Sequence, residues 1–270
     1  MTRGLDRIDG IAGLLAGPAN VVMQLSRPEV GYGVLESKVH SGKITEHPLK
    51  RGRTTFTYLA VATIGSDADR RRYRRAVDSA HAAVRSGPDS PVEYNAFDPE
   101  LQLWVAACLY RGAVDAVTRF RGPLDENEAD ELYRESARLG TTLQVPPEMW
   151  PPDRAAFEDY WRSAMERVSV DSAVRDYLLE VVTLRFLHLP GLIINPVGRF
   201  YLWVTTGFLP TEFRDAMGLE WTESDQDRFD RFIGIVAATR RPLPAVVRRA
   251  PINLYLWDFR LRSTLGLRVV

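Results

Sequence analysis

Cysteine and lysine are scarce in this chain of 270 residues, in which arginine occupies almost every basic position. The single cysteine, Cys108, excludes an intrachain disulfide, and its apolar neighbours predict a buried small residue rather than a thiolate ligand. The N-terminus lacks the pattern of a signal peptide, and no apolar run is long enough to span a bilayer. We therefore expect a cytoplasmic protein that has no transmembrane segment.

Net charge is absent as well, because 35 lysine and arginine residues balance 35 aspartate and glutamate residues. Such a chain has no overall field that would attract nucleic acid. A basic run from Arg70 to Arg75 contains a single aromatic residue, Tyr73, whereas a nucleic-acid groove interleaves basic and aromatic side chains. We therefore expect no nucleic-acid partner and interpret this run first as a solvent-exposed helix face.

The common cofactor and hydrolase motifs are missing from the sequence. It contains no GxGxxG fingerprint, no phosphate-binding Walker loop and no GxSxG nucleophile elbow. The HExxH pattern of zinc peptidases and the calcium loop of EF-hands are absent too. These absences argue against the usual dinucleotide-binding, serine hydrolase and zinc peptidase classes.

The hydrophobic pattern favours an all-α fold. Strand-type alternation is weak throughout, and no internal repeat or low-complexity linker divides the chain. We therefore expect a single-domain helical bundle over residues 1–270. Helix starts are indicated by Ser66-Asp67, by Asp98-Pro99 and by a capping-box pattern from Thr222 to Asp225.

Prolines and glycines suggest the remaining boundaries. We expect a turn at Pro28 to Gly33, a polar irregular segment from His40 to Arg53 and a helix that begins near Thr54. An apolar loop is predicted from Leu189 to Val197. The tail that follows Pro242 is expected to contain two short helices at most.

His81 is the most informative single residue. With Val77, Ala80 and Val84 it forms a stripe at helical spacing, the core-facing side of an amphipathic helix that we expect to end near Arg85. A histidine on such a face most often hydrogen-bonds a carbonyl in the core. The alternative is a metal ligand. Because no second histidine or carboxylate follows at i+3 or i+4, a single axial imidazole fits haem better than zinc or di-iron.

A polar cluster of Arg51, Thr54 and Thr55 precedes an apolar run. One interpretation is a helix cap in which Thr54 bonds backbone donors. The other is that Arg51 and the two hydroxyls lie beside a bound ligand and orient dioxygen or a substrate oxygen. Spacing alone does not favour either interpretation. His40 and His47 lie nearby in the polar segment and are expected at the surface.

Several segments of the chain, taken in order, resemble one known family. The segments are RGRTT, YLAVATIG, AVDSAHAAV, YNAFDPELQLWVAACL, PPDRAAFEDYW and FLPTEFRDAMGLEW. They resemble the fungal ER-bound oxygenase (MpaB-type) and rubber oxygenase catalytic-domain family over about residues 20 to 225. The resemblance implies a helical bundle that encloses haem b, with the iron held by a proximal histidine that matches His81. The family's distal arginine and threonine match Arg51 and Thr55.

One position departs from the rubber oxygenase pattern. Those enzymes are similar to this chain but place a lysine, as a distal haem ligand, before the matching threonine, and here that position is Thr54. Threonine is a poor iron ligand, so the resemblance implies an open or water-bound distal site and no cleavage of polyisoprene. An arginine between Arg70 and Arg75 is a candidate partner for a haem propionate, and Glu36 is a candidate acid or base.

The resemblance implies a haem b-dependent oxidoreductase, namely an oxygenase that uses iron and dioxygen on an apolar or aromatic small molecule. In this reading His81 is the metal ligand, Arg51 and Thr55 are catalytic, and Thr54 completes the cofactor-binding set. Two alternatives remain: a haem-binding or sensor protein without turnover, and a helical binding protein with no metal. The sequence gives no indication of the oligomeric state.

Overall fold

The computed structural model describes residues 10–39, 43–240 and 242–270, and the fold is all-α, as predicted. Within those ranges one backbone bridge, between Arg85 and Asn95, is the only strand-like pairing. None of the described helices combines the length and the hydrophobicity that crossing a membrane requires. The helices in chain order are α1 (Gly10–Leu25), α2 (Pro28–Leu35), α3 (Pro48–Ile64), α4 (Asp67–His81), α5 (Pro99–Arg121), α6 (Glu126–Ser136), α7 (Arg138–Thr141), α8 (Arg154–Met165), α9 (Ser172–Val182), α10 (Gly191–Phe208), α11 (Thr211–Met217), α12 (Glu223–Arg240) and α13 (Ala245–Thr264).

Helices α1 and α5 form the centre of the fold and lie in close contact. A Cβ atom on Gly112 of α5 would come within 2.3 Å of the Asn20 amide nitrogen, so glycine is needed for this approach. Asn20 Nδ2 donates a hydrogen bond to the carbonyl of Cys108 (2.6 Å), and Trp104 Nε1 donates one to the carbonyl of Gln24 (3.0 Å). These bonds satisfy polar side chains that burial would otherwise leave unpaired.

Cys108 is fully buried in this contact, which confirms the prediction of a small core residue. Burial raises the pKa of its thiol well above the ordinary value. The thiol is therefore protonated at physiological pH and acts as a packing group rather than as a nucleophile or metal ligand.

Three helix starts follow their sequence signals. Ser66 and Asp69 form a reciprocal capping box at the start of α4, and Asp98 accepts a backbone hydrogen bond at the start of α5 (2.8 Å). Thr222 and Asp225 make the same reciprocal bonds before α12. These predictions are confirmed, because each cap satisfies backbone N–H groups that the first helical turn leaves without partners.

The predicted first residues of two helices are wrong, and in both cases the helix begins earlier, at a proline. The segment Pro28 to Gly33, expected as a turn, belongs to α2, which begins at its proline. Helix α3 begins at Pro48 rather than near Thr54, and half-buried His47 precedes it instead of lying in an exposed loop. Proline suits the first helical position because the N–H that it lacks would have no partner there. The expected surface position of His40 lies outside the described residues.

Two local signals in the second half of the chain give the wrong helix boundaries. The expected loop from Leu189 to Val197 is mostly the first part of α10, which begins at Gly191 and contains Pro196. The tail forms one helix of 20 residues, α13, instead of two short helices. Its residues Leu256 and Phe259 are buried in one cluster with residues of α3 and α4. Burial of this face stabilises a helix that the sequence alone does not indicate.

Asp69 links the start of α4 to α13. Its carboxylate accepts hydrogen bonds from the backbone of Ser66 (2.9 Å) and from the guanidinium of Arg260 (2.8 Å). Burial raises the pKa of Asp69, but these bonds outweigh that effect and hold its pKa at about 2. The ionised carboxylate of Asp69 therefore stabilises the folded chain at every pH above 3.8, its ordinary pKa. This stabilisation is lost as the pH falls from 3.8 towards 2.

Replacing Asp69 with asparagine removes this charge and keeps the size of the side chain. We expect Asp69→Asn to lower the free energy of unfolding by about 1 kcal/mol at neutral pH, a modest value because solvent reaches Arg260 and screens the pair. Its deficit relative to the wild type should shrink as the pH falls below 3.8. Urea denaturation across this pH range measures both effects.

The matched control is Asp67→Asn, which removes an exposed carboxylate from the same helical turn, where it pairs with Arg70. It should leave the free energy of unfolding close to that of the wild type, because solvent screens this exposed pair. An Asp69→Asn deficit that stays constant as the pH falls would contradict the assigned role of the charge.

Candidate functional site

An apolar cavity of about 290 Å³ lies among α2, α3, α4 and α5. Its volume is close to the lower end of the range for small-molecule sites. All residues of the predicted site line it, His81 from α4 and Arg51, Thr54 and Thr55 from α3. Aliphatic side chains make up much of the remaining wall, including those of Val30, Val34, Leu59, Val105, Leu109 and Leu143. The structure thus brings the histidine and the polar cluster to one chamber.

His81 is the last residue of α4, which ends before the expected position near Arg85. Val77, Ala80 and Val84 line the cavity beside it, as their spacing predicts. The Nδ1 atom of His81 is buried and has no hydrogen-bond partner among the described residues. Burial lowers the pKa of His81, so its imidazole is neutral at physiological pH and has a lone pair to offer to a metal.

A hydrogen-bonded group of two glutamines and an aspartate lies next to His81. Gln102 Nε2 donates to Gln144 Oε1 (2.5 Å), and the backbone N–H of Gln144 donates to Gln102 Oε1 (2.9 Å). The amide of Gln144 also donates to the carboxylate of Asp78. Hydrogen bonding with Gln144 and the charge of Asp78 raise the pKa of His81, in opposition to the larger effect of burial. The sequence analysis missed this group.

Arg51 brings a positive charge into the cavity. Burial lowers the pKa of its guanidinium, and the nearby phenols of Tyr177 and Tyr73 oppose that shift. No carboxylate among the described residues forms an ion pair with it. Arg51 also lies in the first turn of α3, where the helix dipole is positive and no acidic residue is present. The guanidinium is therefore available to an anionic or electron-rich ligand.

The two threonines differ in how their hydroxyls are used. The Thr54 hydroxyl donates to the carbonyl of Arg51 (3.0 Å), and the carbonyl of Thr54 accepts from the Tyr73 hydroxyl (3.1 Å). Thr54 is therefore an internal residue of α3, and its interpretation as a helix cap is wrong because the helix begins at Pro48. Thr55 also lines the cavity, and its hydroxyl forms no hydrogen bond in the described part of the chain.

Two further candidates lie outside the cavity wall. The arginines of the run from Arg70 to Arg75 do not line it, although Tyr73 between them does; Arg70 pairs with Asp67, and the other arginines of the run are exposed. This supports the interpretation of the run as a solvent-exposed face. Glu36 does not line the cavity either, but its carboxylate accepts a hydrogen bond from the hydroxyl of Tyr94, a lining residue (2.8 Å).

The available donor atoms suit one axial ligand rather than a metal site built from several side chains. In the described ranges, no group of three or more His, Cys, Asp or Glu residues could hold a metal ion. A neutral imidazole with an unpartnered nitrogen, in a largely apolar chamber, is what haem iron takes from a protein. Arg51 supplies a positive charge for an electron-rich oxygen atom in the same chamber. The residues of this cavity therefore fit haem b.

Comparisons with known proteins identify relatives over most of the chain. Residues 7–238 match the family model described as ER-bound oxygenase mpaB/B′/rubber oxygenase, catalytic domain. An uncharacterized protein of Mycobacterium bovis and one of Mycobacterium tuberculosis are each 51% identical over 257 residues, which is 95% of this chain and 100% of each relative. No solved structure matches the chain. The cavity residues His81, Arg51, Thr54 and Thr55 all fall within the matched range, whereas α13 follows it.

Among the described residues the charge of Arg51 has no carboxylate partner, so we expect the ligand-free chain to become more stable when this charge is removed. We expect Arg51→Met to raise the free energy of unfolding of the ligand-free chain by about 1 kcal/mol, because methionine fills similar space without a desolvated charge. Urea denaturation measures the change. Arg53→Met is the control, since Arg53 lies 3.8 Å from the carboxylate of Asp258 and should give no such gain. A loss of stability in Arg51→Met would show that the guanidinium has a structural partner.

Proposed function

The chain belongs to the family of ER-bound oxygenase mpaB/B′ and rubber oxygenase catalytic domains, and on that premise we propose that it is a haem b-dependent oxygenase. The proposed substrates are dioxygen and an apolar or aromatic small molecule. Family membership supports the general oxygenase role. The observation that carries the assignment of haem is the unpartnered, buried nitrogen of His81 in the cavity that Arg51 and Thr55 also line.

His81 is the proposed iron ligand. Its pKa is lowered by burial, so the imidazole is available without first losing a proton at physiological pH. Ala80 precedes it on the cavity wall and leaves space for a flat ligand. The Gln144 and Asp78 side chains fix the surroundings of the ring and make it more basic, as groups behind metal-bound histidines commonly do. Haem bound in this way supplies an iron centre that can react with dioxygen.

Arg51 and Thr55 are the proposed catalytic residues. The guanidinium of Arg51 stabilises negative charge on a ligand oxygen more strongly in this chamber than in water, because few polar groups surround it. The Thr55 hydroxyl can donate to or accept from the same oxygen and so fix its orientation. Thr54 belongs to the proposed cofactor-binding set through its position on the cavity wall, and its neutral hydroxyl, which donates to the carbonyl of Arg51, is a poor iron ligand.

The aliphatic wall favours an apolar substrate. Valines and leucines from six helices line the space around His81, and such an apolar wall strengthens the interactions of the few polar groups there. No lysine lines the cavity in the described part of the chain. The distal ligand of the rubber oxygenases thus has no counterpart here, and we propose a small apolar or aromatic molecule as the substrate rather than polyisoprene.

Titration of the purified chain with hemin tests the assignment of His81. The wild type should develop a sharp Soret band, and His81→Ala should bind hemin at least tenfold more weakly, because it has lost the only histidine among the described lining residues. His188→Ala is the matched control, since His188 is exposed and lies outside the cavity wall, and it should bind hemin like the wild type. Free imidazole should restore the band in His81→Ala. If the wild type, His81→Ala and His188→Ala gave the same spectrum, His81 would not be the iron ligand.

The two alternative functions give different results after haem is bound. A sensor or haem-binding protein would form a stable complex with dioxygen after reduction and would consume no apolar compound. A helical binding protein without metal would stay colourless even with excess hemin. The proposed oxygenase consumes dioxygen in proportion to the product formed, and Arg51→Met should lower this rate while the Soret band remains.

A further inference from the structure

The first part of α10 and the segment before it expose a set of apolar side chains. Between residues 187 and 200 only Ile194 and Gly198 are buried. A Cβ atom on Gly198 would lie 2.3 Å from the carbonyl oxygen of Thr183, so α10 rests along this narrow line on the end of α9. The large apolar side chains that remain exposed form the α10 apolar face, which consists of Leu187, Leu189, Leu192, Ile193, Val197 and Phe200.

Helix α12 extends the α10 apolar face. The rings of Phe200 and Phe232 are in contact, with centroids 5.5 Å apart. Ile235, one turn later on α12, is 66% exposed, and no acidic residue follows Asp230 on this helix. Apolar surface without carboxylates thus continues from α10 to its neighbour. Exposed apolar patches that span several residues commonly mark an interaction site.

The charged groups around this face carry one sign. No aspartate or glutamate occurs from residue 181 to residue 211, although acidic and basic residues balance in the whole chain. Arg185, His188 and Arg199 are exposed within that stretch, and neither arginine forms an ion pair with a described residue. The surface that complements this face is therefore apolar at its centre and anionic around it.

The backbone is strained on both sides of the turn that precedes α10. Leu184 (φ 57°) and His188 (φ 49°) are the only residues other than glycine with a positive φ in the described ranges. Between them Phe186 is buried, whereas Leu187 is exposed. Left-handed backbone at such residues costs free energy and is concentrated where function maintains it. Burial of apolar surface does not account for this turn, since it presents a leucine to solvent.

We propose that the α10 apolar face docks on a lipid bilayer whose surface carries anionic headgroups. Its aliphatic and aromatic side chains enter the boundary of the hydrocarbon, and Arg185 and Arg199 meet the headgroup phosphates. A second copy of the chain is a poorer partner, because a two-fold interface would bring the same cations face to face. The inference is independent of haem and of the proposed function.

Cosedimentation of the purified chain with lipid vesicles tests the role of the charges. The wild type should bind vesicles of phosphatidylcholine mixed with phosphatidylglycerol about tenfold or more tightly than vesicles of phosphatidylcholine alone. The double variant Arg185→Gln/Arg199→Gln should lose this preference. The matched control is Arg71→Gln/Arg75→Gln, which removes two exposed arginines from α4 and should bind like the wild type. Equal losses in both double variants, or no binding by the wild type, would overturn the proposal.

Two leucines of nearly equal exposure test the role of the apolar side chains. Leu192 in the α10 apolar face is 91% exposed, and Leu49 near the start of α3 is 89% exposed. Leu192→Gln should weaken binding to both kinds of vesicle about fivefold or more, because it removes a leucine from the hydrocarbon boundary. Leu49→Gln should leave binding unchanged. Equal effects of the two substitutions would contradict docking through this face.

A fluorescent label shows whether this position enters lipid. Cys108 is buried, so a dye sensitive to its environment attaches selectively to the new thiol of Leu192→Cys or of Leu49→Cys. The emission of the first conjugate should shift to the blue when the mixed vesicles are added, whereas the second should not respond. A shift that grows with protein concentration in the absence of lipid would assign the face to a second copy of the chain and overturn the proposal.

Discussion

The constraint on which the site depends is that one largely apolar chamber holds a neutral imidazole and a guanidinium for which the described residues supply no carboxylate. Each group costs stability when it is removed from water without a partner, and the described residues offer no carboxylate to Arg51 and no bond to Nδ1 of His81. The rest of the fold compensates for this cost through buried contacts such as that of α1 with α5. Groups retained against local stability are typical of functional sites.

Helix α13 is linked to the helix that carries His81. It lines a second apolar cavity, of about 180 Å³, and Arg260 on the same helix bonds to Asp69 at the start of α4. Helix α4 then ends at His81, the proposed iron ligand. The electrostatic link to the start of α4 and part of the wall of that second cavity therefore belong to one helix.

Features that depend on neighbouring residues along the chain could be predicted from the sequence. Caps such as Ser66 with Asp69 were predictable, and so was the stripe that directs His81 towards the interior. The presence of Arg51 in the same chamber followed only from the family resemblance, because spacing within one helix cannot show what another helix contributes. Gln102 and Gln144 were missed because they lie 42 residues apart and meet only in the folded chain, where Gln144 reaches His81. Helix α13 was missed because burial against α3 and α4, rather than its own pattern, stabilises it.

Location of iron in crystals of the haem-loaded chain tests the central claim most directly. An anomalous difference map at the iron absorption edge shows the metal independently of any interpretation of the surrounding density. The account predicts one strong peak within bonding distance of an imidazole nitrogen of His81, inside the cavity that Arg51 and Thr55 line. A peak at another residue, or haem held at the protein surface with this cavity empty, would contradict it.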